Sequence, residues 1–185
     1  MINMKERIES EIVLPQGVNA SLENKFVIVK GPKGELRREL SYPTVKISVE
    51  GAKLTLVCEK GTKREKRMIL SFAAHIKNMV NGVQNPYIYK LKICSGHFPM
   101  NVSIAGNTLQ VKNFLGEKTP RITKIKQGAK VKIEGDIITV ESIDKEISGN
   151  IASDIELLTV KRGRDLRRFQ DGIYIIEKAG KKVPS

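Results

Sequence analysis

The sequence contains an internal repeat, and this repeat limits the folds that the chain can adopt. Residues 47–56 (ISVEGAKLTL) match residues 131–140 (VKIEGDIITV) at a Glu-Gly pair, at a Thr and at apolar positions. Residues 19–22 (NASL) match residues 101–104 (NVSI) in the same order and at nearly the same offset. Chance is the alternative, because apolar alternation around glycine turns is common in β-rich proteins, but two ordered matches argue against it. A period near half the chain length is too long for a solenoid and indicates two duplicated domains.

Each half begins with strand patterns. Short alternating apolar segments bounded by Gly, Pro or Asn predict strands. They lie at residues 9–14, 18–22, 26–30, 36–40, 44–50 and 53–59 in the first half, and at 89–93, 101–104, 108–112, 121–125, 130–134 and 137–142 in the second. One further strand is predicted at residues 172–177, inside a basic tail.

Each half also ends with one predicted helix. In residues 65–80 the apolar side chains recur at intervals of three and four, which is the spacing of one helical face. Asn81-Gly82 predicts the end of this helix. A second helix is predicted near residues 147–160, with Asp144 as its N-terminal cap. Strands followed by a single helix predict an α+β fold of two tandem duplicated domains, each of small, mostly antiparallel β-sheets packed with one α-helix. The predicted domains are residues 1–83 and 84–185.

The composition favours a polyanionic partner. The chain has 33 Lys and Arg against 20 Asp and Glu, a formal charge of +13, and a pI near 9.8. Nucleic acid is the first candidate, and a merely soluble basic protein is the alternative. No apolar run approaches the roughly 18 residues that a membrane helix needs, and residues 1–6 do not resemble the start of a signal peptide. The sequence therefore predicts a cytoplasmic protein with no membrane partner.

The positive charge is concentrated in particular segments. Residues 97–127 hold five Lys or Arg against one Glu, and residues 161–185 hold eight against three Asp or Glu. Residues 128–160, which contain the second predicted helix, hold three against seven. This pattern indicates one surface that faces phosphates and another that faces away from them. In the first half, residues 60–67 (KGTKREKR) are a candidate for contact with a second stretch of backbone.

Motifs for catalysis are absent from the sequence. It contains no Walker loop, no G-x-G-x-x-G and no H-E-x-x-H. Cys58 and Cys94 lie far apart and are interpreted as small hydrophobic residues, so no metal and no cofactor is expected. His75 and His97 are candidate bases in principle, but neither has a suggestive neighbour in the sequence. The chain is therefore predicted not to be an enzyme.

Two common RNA-binding folds also fit poorly. Residues 31–34 (GPKG) match the G-x-x-G of a KH domain, but a strand precedes them, which favours a hairpin turn. With only nine aromatic residues, the chain lacks the aromatic-rich strands of an RRM.

Several motifs resemble those of the large-subunit ribosomal protein six family in its archaeal and eukaryotic branch. They are residues 97–102 (HFPMNV), 113–121 (NFLGEKTPR), 72–79 (FAAHIKNM) and, most specifically, 164–174 (RDLRRFQDGIY). Leu157 and Lys161 depart from the family, which is expected to have a glutamine and an apolar residue there. The resemblance covers nearly the whole chain and implies the same duplicated α+β fold.

The resemblance also implies a function. A family member is expected to be a structural, rRNA-binding protein of the large subunit in the cytoplasmic ribosome. It would bind mainly through its second domain near the sarcin–ricin loop, beside neighbouring ribosomal proteins at the stalk base and close to translation factors. The alternatives are a free RNA-binding regulator and an RNA-modifying enzyme.

The resemblance places the RNA contacts in a loop and in the basic tail of the second domain. The predicted contact residues are Lys112, Asn113, Gly116, Lys118, Arg121, Arg162, Arg164, Arg167, Arg168, Lys178, Lys181 and Lys182. Asn113 is expected at a sugar or base, and Gly116 would permit close backbone approach. Phe169 and Tyr174 are expected either to stack on RNA or to be buried beneath the tail, and Asp171-Gly172 is interpreted as a turn. A structural alternative for the tail arginines is pairing with Asp154 and Glu156.

Overall fold

The computed structural model describes residues 6–165 and 167–183. The chain divides into two compact units, a first unit that ends at Pro86 and a second unit that begins at Tyr87. The expected absence of a signal peptide concerns a segment that lies mostly outside the described residues. The outer limits of the predicted domains, residues 1 and 185, lie outside them as well.

The first unit consists of two antiparallel three-stranded sheets and one helix. Its elements are β1 Glu6–Val13, β2 Asn19–Glu23, β3 Phe26–Gly31, β4 Gly34–Glu39, β5 Lys46–Glu50, β6 Lys53–Gly61 and α1 Lys63–Gln84. The strands are ordered β1-β6-β5 in one sheet and β2-β3-β4 in the other. The predicted hairpin turn at residues 31–34 joins β3 to β4, with Gly31 opposite Gly34.

The second unit repeats this arrangement and extends it. Its elements are β7 Tyr87–Cys94, β8 Asn101–Ala105, β9 Thr108–Lys112, a single 3₁₀ turn Phe114–Gly116, β10 Arg121–Lys124, β11 Ala129–Glu134, β12 Ile137–Ser142, α2 Lys145–Leu158, β13 Gly172–Lys178 and β14 Lys181–Lys182. The strands are ordered β10-β9-β8 in one sheet and β11-β12-β7-β13-β14 in the other, all antiparallel.

The two units have matching topology. The order β1-β6-β5 corresponds to β7-β12-β11, and the order β2-β3-β4 corresponds to β8-β9-β10. The repeated Glu-Gly pairs occupy equivalent hairpin turns, in which Gly51 and Gly135 have φ angles of 57° and 58°. The duplicated α+β fold is therefore confirmed. In the first unit β1 is an edge strand. Its counterpart in the second unit, β7, is not an edge strand, because β13 pairs with the side of β7 that faces away from β12.

Each unit has its own hydrophobic core. In the first unit, alternating residues of β6 (Leu54, Leu56 and Cys58) are buried against the apolar face of α1. In the second unit, Ile151 and Ile155, one helical turn apart on α2, are buried against the sheet. The buried face of each helix therefore fixes its position in the unit.

The helix starts obey capping rules, but one predicted helix end is wrong. Thr62 and Glu65 form a reciprocal capping box at the start of α1, and the Asp144 carboxylate accepts the Glu146 N–H at 2.8 Å at the start of α2. The helix α1 does not end at Asn81-Gly82 but continues to Gln84. It continues because Val83 is fully buried and packs against the Gly31 backbone.

The length and the apolarity that a membrane span requires are not combined in either helix of residues 6–165 and 167–183.

Candidate nucleic-acid interface

The β9–β10 loop, residues 113–120, has an unusual backbone. Asn113, Leu115 and Gly116 all have left-handed conformations, with φ angles of 60°, 50° and 80°. A bulky residue such as Leu115 rarely adopts this conformation, so the surrounding contacts must hold it there. The buried Phe114 ring and a 3.1 Å hydrogen bond from Asn113 Nδ2 to the Pro99 carbonyl supply those contacts. The loop is therefore held in one conformation, with Gly116 and Lys118 exposed at its surface.

Arg121 joins this loop to the end of α2. Its Nε and Nη2 atoms donate to the two carboxylate oxygens of Glu117 at 2.8 and 2.6 Å. Its Nη1 atom donates to the carbonyls of Leu158 at 2.7 Å and Val160 at 3.4 Å. The hydrogen bonds from Arg121 lower the pKa of the Glu117 carboxyl. The guanidinium group also lies 4.3 Å from the centre of the Phe114 ring. Arg121, at the start of β10, thus caps the C-terminal end of α2.

The α2–β13 connection, residues 159–171, is organised around Lys161. Its ammonium group donates to the carbonyl of Phe169 at 2.6 Å, to the carbonyl of Asp171 and to the Tyr174 hydroxyl at 3.0 Å. Lys161, one of the two residues that depart from the family pattern, therefore holds the connection together through hydrogen bonds within it and to Tyr174. Tyr174, at 39% exposed, donates its hydroxyl to the Gln170 carbonyl at 3.0 Å.

Asp171 ties the end of this connection to the segment before β8. Its carboxylate is 1% exposed and accepts the N–H groups of Gly96 at 2.5 Å and His97 at 2.9 Å. It also lies 2.6 Å from His97 Nδ1. Burial alone would raise the pKa of this carboxyl, but the hydrogen bonds from His97 and Gly96 outweigh burial and lower it to about 2. Asp171-Gly172, predicted as a turn, instead forms a hydrogen-bonded clamp at the start of β13, and the clamp provides His97 with a partner that the sequence did not indicate.

Phe169 is half-buried between polar neighbours. Its ring stacks on His97 with 5.0 Å between ring centres, and the Arg164 guanidinium lies 4.9 Å from its centre. These contacts keep Phe169 against its own unit. In contrast, Phe98 is half exposed beside Gly116, and sequence reasoning did not single it out as a contact residue.

The structure brings most of the predicted contact residues together. Arg121 connects the β9–β10 loop, through Glu117, to the Val160 carbonyl in the α2–β13 connection. Arg164 of the connection lies close enough to Glu117 for its charge to act on that carboxylate. Of the twelve predicted residues, only Arg121 is not exposed. In the part of the chain that the structure describes, the side chains of Lys112, Lys118, Arg162 and Arg168 have no hydrogen-bond or ion-pair partner.

Three predicted residues lie apart from this group. Lys178, Lys181 and Lys182 occupy the β13–β14 hairpin, where Lys178 is directly opposite Lys181. Strand β13 begins at Gly172, beside the connection, and Lys178 lies at its other end, about 20 Å away at roughly 3.3 Å per residue. The hairpin therefore forms a separate cationic site in the second unit.

The acidic residues of α2 have partners other than the tail arginines. Glu156 Oε1 accepts the Ile175 N–H at 3.0 Å, and Asp154 lies 3.8 Å from Lys126. Arg167 instead pairs with Asp165 at 3.3 Å, and its side chain is 92% exposed. The arrangement leaves the arginines on the surface, so the structural alternative, in which they pair with Asp154 and Glu156, is not how the tail is held.

A cleft of about 640 Å³ lies beside Lys112 and Asn113. Its lining combines apolar side chains such as Met100 and Ile133 with polar groups that include Asn101 and Asp136. The cleft adds exposed hydrogen-bonding groups to the side of the loop that carries Lys112.

Comparison with known proteins agrees with this architecture. The chain matches the protein family described as Ribosomal protein L6 twice, over residues 14–85 and 98–172, one match in each unit. It is 47% identical to the large ribosomal subunit protein uL6 of Nanoarchaeum equitans (strain Kin4-M), over 95% of this chain and 96% of that protein. The proteins of the same name from Methanococcus vannielii and Methanospirillum hungatei JF-1 are 42% and 40% identical, over 94% and 93% of this chain and 96% and 98% of theirs.

A ribosomal protein accounts for both the duplicated fold and the surplus of exposed cations. The chain belongs to the ribosomal protein L6 family, in its archaeal and eukaryotic branch. Proteins of this family are structural and are not enzymes, which agrees with the sequence prediction.

Proposed function

We propose that this protein binds large-subunit rRNA, mainly through the joined β9–β10 loop and α2–β13 connection of its second unit. As a member of the L6 family, it is a structural constituent of the large ribosomal subunit in the cytoplasm and acts in translation. The resemblance of its motifs to the family further suggests a place near the sarcin–ricin loop and the stalk base. Neighbouring ribosomal proteins and translation factors would lie close by.

One observation supports the proposal: exposed cations occur on both the β9–β10 loop and the α2–β13 connection, and Arg121 bonds both segments. Lys161 and Asp171 hold the α2–β13 connection in place through hydrogen bonds to carbonyl and N–H groups of the same unit. The side chains of Arg164, Arg167 and Arg168 in this connection are exposed to solvent. Arg is suited to phosphate because its planar guanidinium can form two parallel hydrogen bonds.

The Arg167–Asp165 pair does not compete strongly with phosphate. Both side chains are mostly exposed, and exposed ion pairs contribute little free energy because water and salt screen them. The guanidinium can therefore exchange its carboxylate partner for a phosphate. Gly116 allows a phosphate to approach the loop backbone, since it has no side chain and lies in an exposed left-handed turn.

The test is a triple variant in which Arg164, Arg167 and Arg168 are changed to Ala. Each lost phosphate contact should reduce the slope of log affinity against log salt by roughly 0.7 to 0.9, so the total fall should be about two to three. Thermal unfolding should change little, because exposed charge substitutions usually cost under about 0.5 kcal/mol. The measurement is binding to archaeal large-subunit rRNA at several salt concentrations.

The matched control removes three exposed cations elsewhere in the second unit, by changing Lys124, Lys130 and Lys132 to Ala. The control should retain more of the salt dependence than the arginine variant. An unchanged slope with a lowered melting temperature in the arginine variant would refute the phosphate role and assign these arginines to folding.

A further inference from the structure

The start of α1 in the first unit carries a dense group of exposed cations. Lys63, Arg64, Lys66 and Arg67 occupy the first turns of the helix, and all four side chains are exposed. Lys77 lies further along the same helix and is exposed as well. We call these five residues the α1 cationic face. These residues belong neither to the proposed interface of the second unit nor to the hydrophobic core of the first unit.

Two acidic residues close to this face in the sequence have other partners. The Glu65 carboxylate accepts the Thr62 N–H at 2.8 Å and the Thr62 hydroxyl in the capping box. Glu59, near the end of β6, pairs with Lys46 at 3.2 Å. Within residues 6–165 and 167–183, the side chains of Lys63, Lys66, Arg67 and Lys77 form no ion pair or hydrogen bond. Four of the five cations of the face are therefore not paired with a carboxylate.

The position of these cations opposes the stability of the helix. Aligned peptide dipoles place positive charge at a helix N-terminus, so Lys and Arg are favourable in the last turn and unfavourable in the first. In α1 the cations lie at the start, and the last turn contains none. The capping box occupies backbone groups at this end, so the side chains and not the helix terminus present the charge. Helix stability does not explain the arrangement.

The equivalent helix of the second unit provides an internal comparison. Helix α2 occupies the same place in the duplicated fold, but it begins with Asp144 as its cap and Glu146 in the first turn. It carries one Lys, at position 145, and three acidic residues, Glu146, Asp154 and Glu156. Because two copies of one fold tolerate opposite charges at the same place, the fold itself does not require the cations of α1.

The exposed side of α1 has no aromatic residue and no cluster of apolar side chains. Its aromatic residue, Phe72, is buried, and Leu70, at 56% exposed, is a single large apolar side chain beside the small residues Ser71 and Ala74. Protein interfaces usually depend on buried aromatic anchors. No Asp or Glu occurs between Lys66 and Gly116 in the sequence. A single exposed leucine is ordinary on a protein surface, whereas several spaced cations match the repeating charge of a nucleic-acid backbone.

We propose that the α1 cationic face is a second RNA-binding surface, which takes the sugar–phosphate backbone of an rRNA segment independently of the second unit. This inference rests on the proposed function, because rRNA is the polyanion that the family membership supplies. The contact is to phosphates, and so it adds affinity and salt dependence without sequence preference.

The test changes Lys63, Arg64, Lys66 and Arg67 to Gln in the full chain. Gln has a helix propensity similar to that of Lys and Arg, and the capping pair Thr62 and Glu65 is untouched. Binding to archaeal large-subunit rRNA should weaken by about tenfold or more, with a salt slope lower by roughly 0.7 to 0.9 per lost contact, or about three in all. The melting temperature should rise, because the unfavourable charges at the helix start are removed. A merely structural role for these cations would predict the opposite change in melting temperature.

The matched control changes Lys25, Lys30, Lys33 and Lys53, which are exposed cations in strands and turns of the first unit, to Gln. The control should lose less affinity than the helix variant, although the net charge is the same. Equal losses in the two variants would overturn the proposal, because they would show a general charge effect. Unchanged rRNA binding in the helix variant would overturn it too, and would favour an acidic protein as the partner.

Chemical footprinting separates this proposal from the proposed function. Nucleotides that lose protection in the α1 variant should differ from those that lose protection in the Arg164, Arg167 and Arg168 variant. If both variants expose the same nucleotides, the α1 face is not a separate surface. If the unchanged protein does not bind rRNA, the proposed function itself fails.

Discussion

At the scale of single residues, Asp171 shows how one buried carboxylate can organise a surface that it does not reach. It accepts two backbone N–H groups and faces the imidazole of His97, so it connects residues more than seventy positions apart in sequence. Its side chain is almost fully buried. Asp171 therefore positions the Phe169 ring against His97 and leaves the arginines next to Phe169 in the sequence on the surface.

The lowered pKa of Asp171 predicts a specific dependence of stability on pH. A carboxyl whose pKa is lower in the folded state stabilises the fold above its unfolded pKa, and this contribution is lost as the pH falls through the folded pKa. For Asp171 the loss should occur between about pH 4, near its ordinary value, and about pH 2. Changing Asp171 to Asn should lower stability at pH 7, and the difference from the unchanged protein should shrink within this window.

The measurement is urea denaturation of both proteins between pH 7 and pH 2. Asp165→Asn is the control, because Asp165 is exposed and pairs at the surface with Arg167, whose side chain is also exposed. If the Asp171 variant has the same pH profile as the unchanged protein, the clamp does not stabilise the fold.

The sequence could not reveal this clamp. An Asp-Gly pair before a strand has the composition of a turn, but in the structure Gly172 is already the first residue of β13 and lies opposite Cys94. The partner groups at Gly96 and His97 come from a different part of the chain. Only the pairing of β13 with β7, which sets Gly172 opposite Cys94, brings them together.

At the scale of elements, Arg121 acts as part of α2 although it lies in another element. The last carbonyls of a helix lack partners within the helix, and Arg121 supplies donors to the Leu158 and Val160 carbonyls. The resemblance to the family implied a phosphate contact for Arg121. In the structure the Arg121 guanidinium donates to Glu117 and to the Leu158 and Val160 carbonyls at and just beyond the end of α2, which favours a structural role.

Two single substitutions separate these roles. Changing Arg121 to Gln should lower the free energy of unfolding by about 1–3 kcal/mol, since charged hydrogen bonds are lost and the Glu117 carboxylate is left without its partner. The salt slope of rRNA binding should stay the same. Changing Lys118 to Gln should do the reverse, lowering the slope by roughly 0.7 to 0.9 with little effect on stability.

Denaturation curves and salt-dependent binding of the two variants provide the comparison. A lower salt slope for Arg121→Gln without any loss of stability would show that Arg121 does contact phosphate.

The positions of the helices were easier to predict from the sequence than the residues at which they end. The apolar spacing located both helices, and the cap at Asp144 was found because a short acidic side chain precedes an apolar repeat. The end of α1 was misplaced because Asn81-Gly82 is a common helix terminator. In the structure the burial of Val83 outweighs this local preference, and helix formation continues until Pro86 approaches.

At the scale of the whole molecule, the repeat in the sequence was sufficient to predict the duplicated fold. A register of apolar residues and glycine turns is preserved between the copies because both must build the same sheets. The surfaces of the copies have diverged, since exposed positions are not constrained by packing. Charge counts located the basic segments, but they could not show that Arg121 points inward or that the hairpin lysines lie apart.

The separate cores predict that the units fold independently. A fragment of residues 87–185 should unfold cooperatively and bind rRNA with most of the affinity of the full chain, because it contains the second core and the joined interface. A fragment of residues 1–86 should also fold, around its own core, but should bind weakly.

Calorimetry and rRNA binding of both fragments test this expectation. Failure of residues 87–185 to fold alone, or equal binding by the two fragments, would contradict it.

The added strand β13 also sets an order of events during synthesis. Domains generally fold from the N-terminus as the chain is made, and the first unit has all its strands and its helix once residue 86 has left the exit tunnel. The second unit lacks one neighbour of β7 until residue 178 has emerged. The unit that carries the joined cationic surface therefore matures last, so a nascent chain cannot present that surface while β13 is still inside the ribosome.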